Sequence, residues 1–318
     1  MFKQTCTHLA KLPKADVIQW LNSFESIITD ADGVLWHFDK TIDGSVETFN
    51  LMRAKGKQTF VVTNNASQLT AKIQKKATDF GFELKEDQVL TSSLAVANFL
   101  KAKKFQKKAY VLGEEGIVQE LVKAGICGTT KTPERNPKEP MVEYAKNMSL
   151  DPDVGAVIVG KDDDVTIPKI MMACSYLVNP RVIFLATCLD SAYPVGKGII
   201  VGAAAMVSAV SVICGRKPLI LGKPNPTMVA ELQNKGVIKP ATTLMVGDTL
   251  QTDILLAHNC GFQSLFVGSG VNSLDDVKEL QESGDEKKMV LVPDTYVPCL
   301  ADLQAYLCEG GEKSVKPK

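Results

Sequence analysis

The chain has 318 residues, of which 45% are hydrophobic and 23% charged, a composition typical of a globular protein with one large or two medium domains. Basic and acidic residues number 36 each, so nucleic acid is a poor candidate partner. The eight cysteines form no Cys-x-x-Cys pair and there are only three histidines. No zinc site is expected, and free thiols indicate a reducing, cytoplasmic compartment.

Short β-branched runs alternate with longer amphipathic stretches, which predicts an α/β fold with parallel sheets. The predicted strands, in chain order, are SIITDAD, QTFVVTNN, AYVLG, GAVIVG, RVIFLATCLD, PLILG, TTLMVG and QSLFVG. Helices are predicted between them, and two of these end near Gly56 and Gly81. Ligands bind at the carboxyl ends of strands in such sheets, and polar clusters follow SIIT, TFVV and TLMV.

Two segments of the sequence bear on membrane targeting. The first 20 residues lack the long apolar core of a signal peptide. The run GIIVGAAAMVSAVSVICG, residues 198–215, has borderline length for a membrane span. Its serines and its neighbouring motifs favour a buried strand, turn and helix, so no membrane partner is expected. An anchored protein is the alternative.

The first chemical motif is Asp30-Ala31-Asp32-Gly33, at the end of the run SIIT. Residues i and i+2 of a strand share one face, so both carboxylates could converge on one site. Two like charges that close repel each other unless a cation such as Mg²⁺ lies between them. The alternative interpretation is a turn that caps a helix, because Asp and Gly are common turn residues.

A second polar cluster, Thr63-Asn64-Asn65, follows the strand TFVV. Its hydroxyl and amide groups could donate hydrogen bonds to a phosphoryl group. A turn with a helix N-cap is the alternative interpretation.

The third and fourth clusters also lie at predicted strand ends. Lys223, in GKPNP, could bind phosphate as a point charge, although a lysine before a turn is commonly a solvated side chain. Asp248 ends the strand TLMVG, and Asp253 follows five residues later. This second acidic pair predicts a further contribution to a metal site.

The order and spacing of these four clusters resemble the haloacid dehalogenase (HAD) superfamily of phosphotransferases. DADGVLW, TNNAS and GKPNP resemble its chronophin-like branch of phosphoglycolate and 4-nitrophenyl phosphatases, and the resemblance covers about Ser26 to Val271. It implies a Rossmann-like core of residues 1–92 and 217–318. An inserted α/β cap of the C2 type would comprise 93–216, close over the site and carry a homodimer interface.

The resemblance also implies a role for each matching residue in a Mg²⁺-dependent phosphatase. Asp30 would be the nucleophile that forms an aspartyl-phosphate, and Asp32 the general acid and base. Lys223 would offset the charge of the nucleophile and the phosphate. The expected phosphate-binding residues are Gly33, Thr63, Asn64 and Asn65. The expected metal ligands are Asp30, Asp248 and the backbone carbonyl of Asp32, with Asp253 in support.

The chain departs from the branch mainly in the expected cap. The usual Ala-Thr-Asn-x-Asp is ATCLD here, with Cys188, and a Pro-Gly-Thr-Gly is VGAAA. Thr249 replaces the arginine that usually follows Asp248. A thiol cannot replace an amide's paired donor and acceptor. The resemblance therefore predicts a small phosphorylated metabolite as substrate without identifying it. Hydrolysis of pyridoxal phosphate or phosphoproteins is an alternative, as is a non-catalytic scaffold.

Overall fold

The computed structural model describes residues 5–308, so residues 1–4 and 309–318 at the ends of the expected core lie outside the described part. The strands are β1 Thr7–His8, β2 Ser26–Thr29, β3 Trp36–His37, β4 Lys40–Thr41, β5 Gln58–Thr63, β6 Val89–Thr91, β7 Lys108–Leu112, β8 Gly128–Thr129, β9 Val154–Val159, β10 Ile183–Ala186, β11 Ala192–Val195, β12 Gly198–Val201, β13 Leu219–Ile220, β14 Thr243–Gly247, β15 Gln263–Val267 and β16 Thr295–Val297. The α-helices are α1 Lys14–Asn22, α2 Ser45–Ala54, α3 Thr70–Asp79, α4 Ser92–Ala102, α5 Glu115–Lys123, α6 Met141–Asn147, α7 Ile167–Leu177, α8 Ala203–Cys214, α9 Ala230–Asn234, α10 Leu255–Cys260, α11 Leu274–Glu282 and α12 Gln304–Leu307.

The chain divides into two compact units. The first unit runs to Thr63, includes Gln74–Val89 and resumes at Val229, and the second unit comprises Asn64–Ile73 and Leu90–Met228. The expected domain boundaries at 93 and 216 stay a prediction.

The first unit is built on a sheet with the strand order β1-β16-β15-β14-β2-β5-β6. Its central strands β14, β2 and β5 pair in parallel, with Ser26 opposite both Thr243 and Gln58. All four residues of β2 and all five of β14 are buried. Continuous apolar runs of this kind are typical of parallel strands covered on both faces. The carboxyl ends of β2 and β14 consequently lie side by side.

The second unit has its own sheet, with the order β13-β10-β9-β7-β8. These strands are parallel, and each pair of consecutive strands is joined through a helix or a longer crossover. Tyr110, Val157, Leu177 and Phe184 are among the residues of its buried core, which α7 and α8 help to cover. The expectation of an α/β fold with parallel sheets is confirmed.

The apolar run 198–215 differs from its prediction in one respect. It forms strand β12 and helix α8, as expected, but β12 pairs antiparallel with β11 in a hairpin. Ile199 is 69% exposed and Val201 50%, so the prediction that this strand is buried was wrong. An apolar composition does not determine whether another element covers a strand. Between residues 5 and 308, no helix combines the length and the hydrophobicity that crossing a bilayer requires.

The predicted strand RVIFLATCLD is shorter than its sequence suggests. Strand β10 ends at Ala186, and Thr187, Cys188 and Asp190 lie in the loop that follows. In that loop Thr187 accepts a backbone hydrogen bond from Gly222, which begins the turn that contains Lys223. The polar part of the motif therefore lies at a strand end, where ligand-binding residues of parallel sheets are found.

Candidate active site

Three buried carboxylates converge in the first unit. One oxygen each of Asp30, Asp248 and Asp253 lies within 4.8 Å of the other two. Asp30 directly follows β2 and Asp248 directly follows β14, so the two neighbouring strands place these side chains together. Asp253 belongs to the π-helical turn Leu250–Ile254, which precedes α10. The structure therefore brings three of the four predicted acids together, and Asp32 is not in this cluster.

Asp253 is bound to the backbone that carries Asp248. Its Oδ2 accepts hydrogen bonds from the N–H groups of Asp248 at 3.2 Å and Thr249 at 3.1 Å. A Cβ atom on Gly247 would lie 2.1 Å from the Cβ of Asp253, so only glycine allows this close approach. The π-helical turn thus directs Asp253 back towards the strand end.

Asp248 is enclosed by a segment that sequence analysis missed. The N–H of Val271 donates to Asp248 Oδ2 at 2.7 Å, and the N–H of Asn272 donates to its carbonyl at 3.1 Å. A Cβ on Gly270 would lie 1.9 Å from Asp248 Oδ2. The glycine and serine of QSLFVGSG, directly after a strand, were the available signal, because small residues at a strand end permit close backbone approach.

Asp30 and Asp32 occupy different environments. Asp30 is buried, and its N–H donates to the carbonyl of Val246 at 2.9 Å, which continues the strand pairing. Asp32 is half-buried, and its backbone bridges to Trp36. Gly33 has a φ of +84°, and a Cβ there would lie 2.4 Å from Asp248 Oδ2. Glycine is therefore required at this position for backbone conformation and for space.

Lys76 is a second residue that sequence analysis missed. Its ammonium lies 4.9 Å from the centre of the Trp36 ring. Burial lowers the pKa of Lys76, and the charges of Asp32 and Asp39 act in the opposite direction. Lys76 therefore places a cation near Asp32. Lys76 is one of several lysines in a charged amphipathic helix. Nothing in the sequence therefore separates it from a solvated side chain.

The predicted phosphate-binding cluster divides after Thr63. Thr63 is the last residue of β5, in the first unit, and is buried. Asn64 is buried in the second unit, whereas Asn65 is exposed. The side-chain oxygen of Asn65 accepts hydrogen bonds from the N–H of Ser67 at 3.0 Å and its hydroxyl at 2.7 Å. Asn65 therefore forms a local turn, but it is not a helix N-cap, because α3 begins only at Thr70.

Asn64 and Lys223 are brought together within the second unit. The N–H of Lys223 donates to Asn64 Oδ1 at 2.8 Å, and Lys223 is only 2% exposed. The side-chain amide of Asn64 also donates to Asp190 Oδ1 at 2.9 Å. The solvated-lysine interpretation of Lys223 is therefore wrong. Asp190 is the last residue of the ATCLD motif and was not among the predicted site residues.

Cys188, the main departure in that motif, is buried and close to the same turn. A Cβ on Gly222 would lie 3.2 Å from the Cβ of Cys188. Burial is the largest cause that raises the pKa of the Cys188 thiol, followed by the charge of Asp190. The thiol is consequently protonated at neutral pH and is suited to packing rather than to nucleophilic attack.

The three carboxylates fit a hard divalent cation. Buried like charges within a few ångströms repel one another unless a cation lies among them. The group contains only oxygen donors, which Mg²⁺ and Ca²⁺ prefer over nitrogen and sulfur. The backbone at Gly33 and Gly270 lies directly against the Asp248 carboxylate. These two glycines therefore confine the carboxylate without covering it with a side chain.

Comparison with protein families identifies the chain. Residues 27–127 match the model described as haloacid dehalogenase-like hydrolase, and residues 220–297 match a HAD-hydrolase-like model. The chloroplastic phosphoglycolate phosphatase 1A of Arabidopsis thaliana is 36% identical over 92% of this chain and 79% of its own length. Human glycerol-3-phosphate phosphatase is 33% identical over 89% and 91%, and mouse chronophin is 31% identical over 89% and 93%.

Solved structures support the same assignment. The 4-nitrophenylphosphatase of Thermotoga maritima has a TM-score of 0.72 and 26% identity, over 89% of this chain and 97% of its own. A glycerol phosphate phosphatase of Mycobacterium tuberculosis, in complex with magnesium, shares the fold with a TM-score of 0.71 and 22% identity, over 90% of this chain and 77% of its own. The same enzyme was also solved in complex with calcium. The chain belongs to the haloacid dehalogenase-like hydrolases, in the phosphatase branch that contains phosphoglycolate phosphatase, glycerol-3-phosphate phosphatase and chronophin.

Proposed function

We propose that the chain is a Mg²⁺-dependent phosphatase of small phosphomonoesters that works through an aspartyl-phosphate on Asp30. The observation that carries this proposal is the convergence of Asp30, Asp248 and Asp253 at the carboxyl ends of β2 and β14. Phosphoryl transfer requires the positioning of charged groups and electrostatic stabilisation more than elaborate covalent chemistry. A buried cluster of acids with a fitting cation would provide both.

Asp30, Asp248 and the backbone carbonyl of Asp32 would hold Mg²⁺, with Asp253 in support. When bound, Mg²⁺ would act as a Lewis acid that polarises the phosphoryl oxygens. Asp253 would act chiefly through the backbone, since its Oδ2 accepts the N–H groups of Asp248 and Thr249.

The two acids of the first motif would divide the reaction into two displacements. A carboxylate oxygen of Asp30 attacks phosphorus while the bond to the leaving group breaks, and protonated Asp32 donates its proton to the departing alkoxide. Ionised Asp32 then takes a proton from water, whose oxygen attacks phosphorus. The bond to Asp30 breaks and inorganic phosphate is released. The half-buried position of Asp32 suits a group that exchanges protons with substrate and water.

Gly33, Thr63, Asn64, Asn65 and Lys223 are the residues to which the family resemblance assigns phosphate binding. For Lys223, near-complete burial supports a functional cation, since a buried ammonium needs compensating partners. For Asn65, the side-chain oxygen is engaged by the N–H and hydroxyl of Ser67, so this oxygen serves a local turn. These assignments stay predictions.

The proposed substrate class is a small phosphorylated metabolite. The relatives named above act on different substrates of that size, as their names state, which supports the class more than any single compound. We place the enzyme in the cytoplasm because its cysteines, Cys6 to Cys308, are free thiols. One relative, the phosphoglycolate phosphatase 1A of Arabidopsis thaliana, is named as chloroplastic.

We also propose a homodimer formed through the second unit. The hairpin β11–β12 carries three exposed apolar side chains: Val195 at 41%, Ile199 at 69% and Val201 at 50%. Clustered exposed apolar residues are typical of protein interfaces. A second copy of the chain is the proposed occupant, in keeping with the interface that the family resemblance implies.

A phosphate-release assay of the purified full-length chain tests the proposed function. The assay compares 4-nitrophenyl phosphate, a panel of metabolite phosphoesters, pyridoxal phosphate and phosphopeptides, with Mg²⁺ and with EDTA. We expect EDTA-sensitive turnover that favours small esters and is abolished by Asp30→Asn in a folded protein. Near-normal turnover of Asp30→Asn would contradict the mechanism, and preference for phosphopeptides would contradict the substrate class.

A further inference from the structure

A chain of hydrogen bonds in the second unit connects the β11–β12 hairpin to Lys223. The hydroxyl of Tyr193, in β11, donates to Asp190 Oδ2 at 2.8 Å. Asp190 Oδ1 accepts the side-chain amide N–H of Asn64 at 2.9 Å. Asn64 Oδ1 in turn accepts the backbone N–H of Lys223 at 2.8 Å. The carboxylate of Asp190 therefore occupies the middle of this chain, with a separate partner for each oxygen.

The two neighbours of the Asn64 side chain admit one orientation of its amide. A backbone N–H such as that of Lys223 can only donate, so the amide oxygen must face it. An ionised carboxylate such as that of Asp190 can only accept, so the amide nitrogen must face it. The amide nitrogen has one other acceptor, the carbonyl of Lys223 at 3.4 Å, so the shorter contact to Asp190 is the main one that holds it. Without an acceptor at position 190, the Asn64 amide would be held in this orientation by Lys223 alone. The reverse orientation would place a donor against the N–H of Lys223.

The turn that carries Lys223 packs closely on the Asn64 amide. A Cβ on Gly222 would lie 2.6 Å from Asn64 Oδ1 and 2.2 Å from the carbonyl oxygen of Thr187. Asn64 is 6% exposed, so water has little access to replace a lost hydrogen bond. A change in the Asn64 amide should therefore move or loosen the backbone of Lys223.

The backbone of Asp190 is itself held by the start of α8. The N–H of Ala204 donates to the carbonyl of Asp190 at 3.1 Å. A Cβ on Gly202 would lie 2.0 Å from that same carbonyl oxygen, which shows how closely the two segments pack. The carboxylate thus projects from a fixed point, as a positioning group requires.

We propose that Asp190 is a positioning residue for phosphoryl transfer: it orients the Asn64 amide, which holds the backbone of Lys223 in place, and Tyr193 fixes the carboxylate. This role rests on the function proposed above for Asn64 and Lys223. Asp190 acts through these residues, so substitution should affect turnover more than the affinity for free substrate. Supporting residues of this kind typically change activity by about 10- to 100-fold.

Three substitutions separate this role from general structural support. Asp190→Ala removes the main acceptor for Asn64 and should lower kcat by about 10- to 100-fold. Asp190→Asn can keep an oxygen towards Asn64 while its amide donates to the Tyr193 hydroxyl, so it should retain most of the activity. Asp162→Ala is the matched control. It removes another buried carboxylate of the second unit, which pairs with Lys169 at 2.9 Å, and should leave kcat within about twofold.

A double-mutant cycle tests whether Asp190 acts through Asn64. If it does, Asp190→Ala should have little further effect on kcat in an Asn64→Ala background. Multiplicative losses would show independent action and would overturn the proposal. An equal loss in the Asp162→Ala control would overturn it as well. If Asp190→Ala does not fold, Asp190→Ser replaces it, because that hydroxyl is too short to reach the Asn64 amide.

Hydrogen exchange of the Lys223 backbone N–H supplies a readout that does not need activity. Asp190→Ala and Asn64→Ala should both accelerate that exchange, while Asp162→Ala should not. Unchanged exchange in Asp190→Ala would overturn the proposal even if activity fell. Failure of the proposed function appears differently, as absence of phosphatase activity in the unsubstituted enzyme, and the exchange measurement would still decide the role of Asp190.

Discussion

Asp253 holds the backbone of Asp248 through a hydrogen bond of 3.2 Å from the Asp248 N–H to Asp253 Oδ2. The same oxygen accepts the N–H of Thr249 at 3.1 Å, so one carboxylate caps the whole turn after β14. Asp253 is thereby both a member of the acidic cluster and the group that positions another member.

Substitution of Asp253 should therefore reduce stability as well as metal binding. Asp253→Ala leaves the buried N–H of Asp248 and the half-buried N–H of Thr249 without their acceptor. We expect this loss to lower the free energy of unfolding by about 1–3 kcal/mol relative to Asp253→Asn. Asp253→Asn keeps an oxygen for those groups and should lose less stability. Denaturant unfolding with EDTA present compares the two variants, because both lose the negative charge and only the alanine variant also lacks an acceptor oxygen. Equal stability of Asp253→Ala and Asp253→Asn would contradict the capping role.

Gly270→Ala should abolish the metal response. Its Cβ would lie 1.9 Å from Asp248 Oδ2, so the loop or the carboxylate must move. A bound cation should raise the melting temperature of the unsubstituted protein, because it binds the folded state. Melting scans with and without Mg²⁺ should show that rise disappear in Gly270→Ala. The matched control is Gly198→Ala, whose Cβ would meet only the Val195 carbonyl oxygen at 3.8 Å and should respond normally.

The general-acid role proposed for Asp32 predicts a dependence on the leaving group. Asp32→Asn cannot protonate a departing alkoxide, so hydrolysis of alkyl phosphates should fall by about 10²- to 10⁴-fold. In this first displacement the loss should be much smaller with 4-nitrophenyl phosphate, because nitrophenolate leaves readily without a proton. Release of the leaving group in the first turnover gives the comparison, because the later attack of water uses Asp32 as a base with both esters. The same loss for both would assign Asp32 a role other than proton donation.

The homodimer proposal can be tested at Ile199. This side chain is 69% exposed, so Ile199→Asp should leave the folded monomer intact and disrupt a hairpin-mediated dimer. Light scattering after gel filtration measures the mass. Val212→Asp, at an 82% exposed position on α8, is the control for adding charge elsewhere on the second unit. A monomeric unsubstituted protein, or a dimer unaffected by Ile199→Asp, would rule out this interface.

Cys260 should contribute to alkaline unfolding. Burial raises the pKa of its thiol from the ordinary value of 9.0 to about 12 in the folded protein. The buried protonated thiol contributes fully to the free energy of unfolding below the pKa of the unfolded state. This contribution is lost as pH rises from that pKa towards the pKa of the folded state. Between about pH 9 and 11, the free energy of unfolding should fall less steeply with pH in Cys260→Ala than in the unsubstituted protein. The two slopes should differ by about 1.4 kcal/mol per pH unit. Urea unfolding at several pH values measures the slopes, and identical slopes would contradict the prediction.

The sequence predicted the acidic cluster because its determinants are local. SIIT and TTLMV are continuous apolar runs, each followed by an aspartate, and the ends of parallel strands share one edge. The enclosure of Asp248 by Gly270 and Val271 could not be predicted in the same way. Those residues carry no chemical group of their own, and their effect depends on where the backbone lies.

Local sequence patterns also could not predict the long-range contact between Asn64 and Asp190 or the exposure of the β11–β12 hairpin. Asp190 and Asn64 are separated by most of the second unit in sequence, and neither strand periodicity nor spacing relates them. The hairpin residues Ile199 and Val201 have the composition of a buried strand but lie exposed. Composition reports how readily a residue can be buried, whereas exposure depends on which other elements cover it.

The register of the central sheet also affects how the chain can fold during synthesis. Strand β2 pairs with β14, with Ser26 opposite Thr243, although roughly 200 residues separate them along the chain. The middle of the first unit therefore cannot assemble until a ribosome has translated beyond β14. The continuous segment Leu90–Met228 is synthesised earlier and can fold before β14 is available to pair with β2. In the cell, Asp30 and Asp248 would thus be brought together among the last events of folding.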